Sequence, residues 1–136
     1  MLSNLSLGAL LFLLPMCVLA YSVSTNSLQW VSPADRKQIF VKGGHTYSYI
    51  FIKAKGKKPT FLLVHGFPSS AYDWRKQIAD LTAAGYGVIV PDLLGYGETS
   101  HPASVEEYSR HKISASVVEI LKHEGLKQVI GVGHDW

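Results

Sequence analysis

A carboxylate follows the last apolar run of the sequence, and its surroundings suit nucleophilic chemistry. Asp135 stands in Gly133-His134-Asp135-Trp136, directly after the apolar segment 128–132. A strand that runs into such a turn can present the side chain above the sheet, because the small residues permit a tight, strained backbone. An aspartate presented in this way can attack carbon and form an alkyl ester. For an isolated aspartate after a strand, a helix N-cap is the simpler interpretation.

Two further loops favour the nucleophile interpretation. His65-Gly66-Phe67-Pro68 follows the apolar run 60–64, and a glycine-containing segment, 91–100, follows the apolar run 87–90. In open sheets of parallel strands, sites form just beyond the carboxyl ends of the strands. The sequence therefore predicts that both loops and the Asp135 turn lie together at one edge of a sheet. Asp92, in the second loop, is interpreted as an acceptor for backbone N–H groups of its turn rather than as a catalytic group.

Alternating strands and helices must position these loops. The pattern predicts an antiparallel hairpin over 39–52 and buried strands at 60–64, 87–90 and 128–132. Helices are predicted over 74–84, with Asp73 as N-cap, and over 104–123, with a capping box at 104–107. The second helix should bury a stripe formed by Val117, Val118 and Leu121, and Gly85 and Gly125 should end the two helices.

The order of these elements indicates the fold class. Strand, helix, strand, helix, strand at this spacing implies right-handed parallel crossovers. We therefore expect an α/β fold, a mostly parallel sheet flanked by helices.

The first twenty residues have a different character from the rest. Residues 1–20 carry no charged side chain, and Val18-Leu19-Ala20 offers small residues for cleavage before Tyr21. This pattern predicts a signal peptide and a secreted protein. A membrane anchor formed by residues 1–20 is the alternative, because the run approaches the ~20 residues that span a bilayer.

Composition excludes several other classes. The single cysteine, Cys17, excludes an internal disulfide framework and a zinc site of paired thiolates. A net charge of +3 over 136 residues gives no support for nucleic-acid binding. The basic residues of segment 36–58 are interpreted as belonging to solvated hairpin loops rather than to a polyanion site.

The three loop motifs in register resemble the epoxide hydrolase branch of the α/β-hydrolase superfamily. HGFP, DLLGYGET and GHDW occur in that order, and the resemblance extends from about Trp30 to Trp136. It implies an α/β-hydrolase fold of which residues 21–136 are the N-terminal portion, ending after the nucleophile-bearing strand.

The resemblance also implies roles for individual residues. Asp135 would be the nucleophile, and the backbone N–H groups of Phe67 and Trp136 would form the oxyanion hole. Pro68 would hold its loop in shape, in this family often through a cis peptide bond. The remaining matched residues would support the loops: His65, Gly66, Gly95, Gly97, Thr99, Gly133 and His134.

The implied reaction opens a small hydrophobic epoxide to a vicinal diol without a metal or organic cofactor. The family places its proton-donating lid tyrosines, supporting acid and base histidine later in the chain than Asp135. We therefore expect the 136-residue chain alone to be inactive.

Three other interpretations stay open. A haloalkane dehalogenase uses the same Asp-Trp turn, but Phe67 lacks the side-chain donor that would hold a halide. A catalytically inactive product that acts by binding is the second. A dinucleotide-binding loop at Gly131-Val132-Gly133 is disfavoured, because Trp136 stands where a third glycine is required.

Overall fold

The computed structural model describes residues 30–135, so the predicted leader and Trp136 lie outside the described residues. None of the helices in this part is long and apolar enough to cross a membrane. The elements are β1 (Arg36–Phe40), β2 (Thr46–Ile52), β3 (Thr60–Val64), α1 (Arg75–Ala83), β4 (Gly87–Pro91), α2 (Arg110–His123) and β5 (Ile130–Gly133).

The five strands form one mixed sheet in the order β1-β2-β4-β3-β5. β1 and β4 each pair antiparallel with β2, whereas β3 pairs parallel with both β4 and β5. Four strands therefore run in one direction and β2 runs against them. The chain moves from β3 to β4 on one side and then crosses to β5 on the other. The carboxyl ends of β3, β4 and β5 consequently converge around a switch point in strand order, where α/β folds place their sites.

Two apolar clusters cover the two faces of the sheet. On one face Trp74 and Ile78, from the α1 region, pack against Ile50, Leu63 and other central-strand residues. On the other face Ile120 of α2 packs against Tyr47, Tyr49 and Ile89. Right-handed crossovers that move in opposite directions along a sheet place their helices on opposite faces, which accounts for this division.

Both helices begin later than the sequence predicted. Asp73 is not the N-cap of α1, because it lies in a 3₁₀ turn, Ala71–Trp74, whose N-cap is Ser70. The capping box at residues 104–107 is also wrong. Residues 105–108 form a separate 3₁₀ turn, Ser104 makes no side-chain capping bond, and the extended backbone of Ser109 interrupts the helix.

The structure confirms the predicted ends of the two helices but not the whole of the predicted buried stripe of α2. Gly85 and Gly125 follow α1 and α2 with φ of 86° and 69°, as a glycine C-cap requires. The stripe was wrong at Val118, which is 44% exposed, whereas Ile120 is buried. A polar residue, Ser116, takes the other buried position of α2 and donates a hydrogen bond to the Lys112 carbonyl, 3.0 Å away.

The last strand is shorter and more exposed than predicted. β5 covers Ile130–Gly133, and all four residues are exposed, whereas all five residues of β4 are buried. Within the described residues β5 pairs with β3 alone, so it is an edge strand. An open groove of about 290 Å³ lies between β5 and α1 and is lined by Phe61, Leu63, Trp74 and Val132, among others.

Arg36 and Lys37 do not lie in a solvated hairpin loop, contrary to the sequence interpretation. They are neighbours in β1 and each pairs with a carboxylate that is almost fully buried, Asp92 and Glu124. Lys37 Nζ lies 3.0 Å from Glu124 Oε2, and Tyr49 donates its hydroxyl to Glu124 Oε1 at 2.6 Å. Burial on its own raises the pKa of Glu124, but the hydrogen bonds from Tyr49 and Lys37 hold it below its usual value. This network fastens the end of α2 to β1 and β2.

Candidate active site

Asp135 stands at the tip of β5 in a backbone conformation that few non-glycine residues adopt. Its φ is 70°, in the left-handed region, and aspartate is among the side chains that tolerate this region best. The residue is exposed. Oδ2 of its carboxylate accepts a hydrogen bond of 2.6 Å from the backbone N–H of Phe67. The turn thus brings a carboxylate to the loop after β3, across 68 residues of sequence.

Gly66 makes this approach sterically feasible. A Cβ atom at Gly66 would lie 2.2 Å from Cβ of Asp135, far inside van der Waals contact. The next peptide bond, Phe67–Pro68, is cis, as the resemblance implied. Gly133 is less constrained, because a Cβ there would meet the Val64 carbonyl at an ordinary 3.6 Å.

His65 ties the loop after β3 to the loop after β4. Its ring is buried and its Nε2 accepts a 2.9 Å hydrogen bond from the backbone N–H of Leu93. Because Nε2 accepts, the ring proton sits on Nδ1, which donates to the Gly66 carbonyl at 2.9 Å. The ring also packs edge-on against Tyr96. His65 is therefore placed as a connector between the two loops.

The loop after β4 is fastened to β2 by its side chains. Ser48 of β2 donates its backbone N–H to the Thr99 hydroxyl at 2.9 Å, and that hydroxyl donates to the Asp92 carbonyl at 2.7 Å. Gly95 and Gly97 allow close approaches. A Cβ at Gly95 would lie 2.7 Å from the ring of Tyr108, and one at Gly97 would lie 2.3 Å from Asp92 Oδ2.

Asp92 is buried, and both of its carboxylate oxygens have partners. Oδ1 accepts from the backbone N–H of Ala71 at 2.7 Å, and Oδ2 accepts from Glu98 N–H at 3.5 Å. The sequence interpretation, an acceptor for backbone N–H groups of its own turn, fits the Glu98 bond alone, because the shorter bond comes from Ala71 in another segment. Oδ2 also lies 3.3 Å from Nη1 of Arg36, a partner that the sequence analysis missed.

His134 lies beside the site without joining the loop network. Its side chain is 47% exposed, its Nε2 lies 3.9 Å from Asp73 Oδ2, and its ring contacts that of Trp74. Trp136, the other predicted oxyanion-hole residue, is outside the described part. Among residues 30–135, no group of three His, Cys, Asp or Glu side chains is arranged to hold a metal ion.

Comparison with known proteins places this arrangement in a family. Residues 59–136 match the family model described as the alpha/beta hydrolase fold, which is more than half of the chain. The chain belongs to the α/β-hydrolase fold family. The sequence prediction of this fold is confirmed.

The relatives narrow the resemblance within the α/β-hydrolase fold. The chain is 46% identical over 78 residues to Epoxide hydrolase A of Mycobacterium tuberculosis, covering 57% of this chain and 24% of that protein. It is 39% identical over 99 residues to Bifunctional epoxide hydrolase 2 of Sus scrofa, covering 67% of this chain and 18% of that protein. The chain thus spans about a quarter or less of the length of these relatives.

The solved structures that resemble this chain also include epoxide hydrolases. A crystal structure of an epoxide hydrolase from Vigna radiata matches with a TM-score of 0.67 and 35% identity, covering 74% of this chain and 32% of that one. Epoxide Hydrolase A from Mycobacterium thermoresistibile matches with a TM-score of 0.66 and 34% identity, covering 74% and 31%. Within the α/β-hydrolase fold, the present chain is therefore similar to epoxide hydrolases.

Arg36 is the residue of this α/β-hydrolase site that sequence reasoning did not find. It lies in β1, before the region that the family model matches, and reaches Asp92 across 56 residues of sequence. Its only sequence signal was membership of a basic segment, which reads equally well as a solvated surface. The contact depends on the pairing of the predicted hairpin with β4 through β2, which the local sequence does not specify.

Proposed function

We propose that Asp135 is the nucleophile of an epoxide-opening reaction and forms an alkyl ester with its substrate. The observation that carries this proposal is the 2.6 Å hydrogen bond between Phe67 N–H and Asp135 Oδ2. With Oδ2 held by this donor, Oδ1 attacks an epoxide carbon and the carbon–oxygen bond of the ring breaks. The released alkoxide oxygen takes a proton from the lid tyrosines that the resemblance implies or, in the 136-residue chain alone, from water. Oδ2 then becomes the carbonyl oxygen of the ester.

The same donor suits the second half of the reaction. Hydrolysis of an ester develops negative charge on the carbonyl oxygen, and a fixed backbone N–H stabilises that charge. Phe67 N–H already contacts the oxygen concerned, and the backbone N–H of Trp136 is proposed as the second donor. The product is a vicinal diol. The names of the relatives suggest an epoxide as substrate, and the sequence resemblance implies that this epoxide is small and hydrophobic.

We further propose that the 136-residue chain carries out the first step only slowly, with water as the proton donor in place of the lid tyrosines, and stops at the ester without turnover. Release of the diol requires a water molecule activated by a base, which the resemblance places later in the chain than Asp135. The chain alone therefore should accumulate one covalent adduct and release no diol. This behaviour separates the proposal from that of a binding protein, which would form no adduct.

The test is mass spectrometry of the intact chain after incubation with 1,2-epoxyhexane. We expect a mass increase of one epoxide molecule, mapped to Asp135, and no adduct in Asp135→Asn. Asparagine is the matched control because it also tolerates a φ of 70°, so the turn is kept while the nucleophile is lost. An adduct on another residue, or equal labelling of Asp135→Asn, would overturn the proposal.

A haloalkane dehalogenase activity is tested in parallel with 1-chlorohexane. The exposed phenyl ring of Phe67 supplies no hydrogen bond to a departing halide, so we expect no ester from the chloride. Labelling of Asp135 by 1-chlorohexane but not by the epoxide would favour the dehalogenase.

For the leader, we propose cleavage before Tyr21 and secretion, with membrane anchoring by residues 1–20 as the alternative. Expression of the full chain in a secreting host tests this. A mature protein that begins at Tyr21 in the medium supports the signal peptide, and an intact chain in the membrane fraction supports the anchor.

A further inference from the structure

Asp92 is a buried carboxylate that the proposed reaction does not use. Its side chain is only 3% exposed, although a charge buried in this way is unfavourable unless it is paired and hydrogen-bonded. The cation comes from Arg36 Nη1, 3.3 Å from Oδ2. Arg36 is itself held: Nη1 lies 3.9 Å from Glu98 Oε2, and the guanidinium lies 5.7 Å from the centre of the Trp30 ring.

The other oxygen of Asp92 points to the segment that carries the Phe67 donor. Oδ1 accepts the backbone N–H of Ala71 at 2.7 Å, four residues after Phe67. Two residues before Phe67, the ring of His65 accepts the N–H of Leu93 at 2.9 Å. The segment 65–71 is thus fastened at both ends to two adjacent residues of the loop after β4, and Phe67 lies between the fastenings.

We propose that Arg36 and Asp92 are positioning residues, which act through Ala71 to hold the Phe67 N–H against the Asp135 carboxylate. Asp92 sets where the segment 65–71 ends, and Arg36 holds the orientation of the Asp92 carboxylate through the 3.3 Å contact with Oδ2. This proposal rests on the proposed function in one respect: the oxygen that Phe67 N–H holds belongs to Asp135, the proposed nucleophile. It extends the site to β1, which lies outside the region that the family model matches.

The neighbour of Arg36 provides a matched control. Lys37 follows in the same strand and pairs with a carboxylate of similar burial, Glu124, whose side chain is 8% exposed. That pair belongs to the opposite face of the sheet, where Glu124 also binds Tyr49. Loss of the Lys37 pair should therefore weaken the fold without touching segment 65–71.

The direct readout is the amide resonance of Phe67. Selective ¹⁵N labelling of phenylalanine in the full chain gives one signal for each of five residues, and the Phe67 signal is the one that Phe67→Leu removes. A short hydrogen bond to a carboxylate shifts an amide proton downfield, and Asp135→Asn gives the position without that charge. We expect Arg36→Gln and Asp92→Asn to move the signal toward that position.

The second readout is the rate of ester formation at Asp135 with 1,2-epoxyhexane. We expect Arg36→Gln and Asp92→Asn to slow it at least about tenfold, because small displacements of positioned groups cost this much or more. Arg36→Lys restores a cation and should recover most of the rate and the Phe67 shift. Lys37→Gln should lower the stability of the fold but leave both readouts at their original values.

The outcomes distinguish this proposal from the proposed function. If the original chain forms no ester, the proposed function fails, and the Phe67 resonance alone decides whether Arg36 and Asp92 position the donor. If the ester forms but Arg36→Gln and Asp92→Asn leave the resonance and the rate unchanged, the positioning proposal is wrong. It is also wrong if Lys37→Gln has the same effects as Arg36→Gln, since the cause would then be general loss of stability.

Discussion

The loops after β3 and β4 and the turn after β5 contribute to one site but are held in different ways. In the two loops, His65, Asp92 and Thr99 are each at most 2% exposed, and every one of them bonds to the backbone of another segment. The turn, by contrast, follows an edge strand whose residues are all exposed, and Asp135 bonds to Phe67. We call the two loops the support and the Asp135 turn the tip, and we infer from these contacts that the support is held more firmly than the tip.

This difference shows where the geometry of the site is determined. An exposed aspartate at the end of a four-residue edge strand has little packing of its own to fix it. The fixed partner is Phe67 N–H, which belongs to an exposed residue that lies between the buried side chains of His65 and Ala71. Substitutions in the support should consequently alter the chemistry at Asp135 more than substitutions in the strand that carries it.

The largest effect is expected at the contact between the two regions. Gly66→Ala would place a Cβ atom 2.2 Å from Cβ of Asp135, so one of the two segments must move. We expect ester formation with 1,2-epoxyhexane to fall about 100-fold, the effect of an ångström-scale displacement. Gly131→Ala in β5 is the control, since its Cβ would meet nothing within 4 Å. Equal rates for the two variants would contradict the steric argument.

A second comparison uses one histidine from each region. His65→Ala leaves the Leu93 N–H without its acceptor in a buried position, and we expect the free energy of unfolding to fall by about 2 kcal/mol. His134→Ala, at a side chain that is 47% exposed, should change it by less than about 0.5 kcal/mol. Urea denaturation of both variants measures the difference. A larger loss for His134→Ala would reverse the assignment of support and tip.

One valine of β4 and one of β5 test whether the buried strand is packed more tightly than the exposed edge strand. Val90 of β4 is fully buried, whereas Val132 of β5 is 37% exposed. Removal of two buried methyl groups, at about 0.8 kcal/mol each, should make Val90→Ala less stable by about 1.5 kcal/mol. Val132→Ala should lower the free energy of unfolding by less than half of that amount. Equal losses would mean that β5 is better covered in solution than in this structure.

The smallest effect is expected for the dependence of folding stability on pH, and it arises from the buried network around Glu124. The folded-state pKa of Glu124 lies below its unfolded value of 4.5, so its contribution is complete above that pH and disappears as the pH falls through the folded value. Glu124→Gln should therefore be less stable than the original chain by about 1 kcal/mol at pH 7. The stabilities of the two chains should converge as the pH falls below 4.5 and through the folded-state pKa of Glu124. A stability difference that grows with acidification would contradict the direction of this shift.

Some elements of this fold are specified by local patterns in the sequence. β3 and β4 were predicted within one residue because a continuous apolar run between turn residues specifies a buried strand without reference to distant segments. The ends of α1 and α2 were predicted for an equally local reason, because Gly85 and Gly125 readily adopt the positive φ of a helix C-cap. The clustering of HGFP, the segment 91–100 and Asp135 required one further rule, that parallel strands end at a common edge.

Other parts could not be predicted because they depend on topology. The apolar residues of β5, Ile130 and Val132, indicate a strand, yet the burial of that strand depends on which strand lies beside it. The start of α2 was misplaced because Ser104 and Glu107 match a capping pattern that the extended backbone at Ser109 overrides. The pairing of Arg36 with Asp92 needs the order β1-β2-β4, which local patterns do not encode.

The placement of Arg36 and Lys37 next to each other in β1 has a consequence for synthesis on the ribosome. Their carboxylate partners lie 56 and 87 residues further along the chain. At about 5–20 residues per second, β1 waits roughly 4 to 17 s after its own translation before Glu124 is made. During this interval two adjacent cations and the exposed ring of Phe40 are available to other molecules. The first strand of residues 30–135 is thus among the last elements to find all of its partners, and nascent-chain chaperones would meet it unpaired.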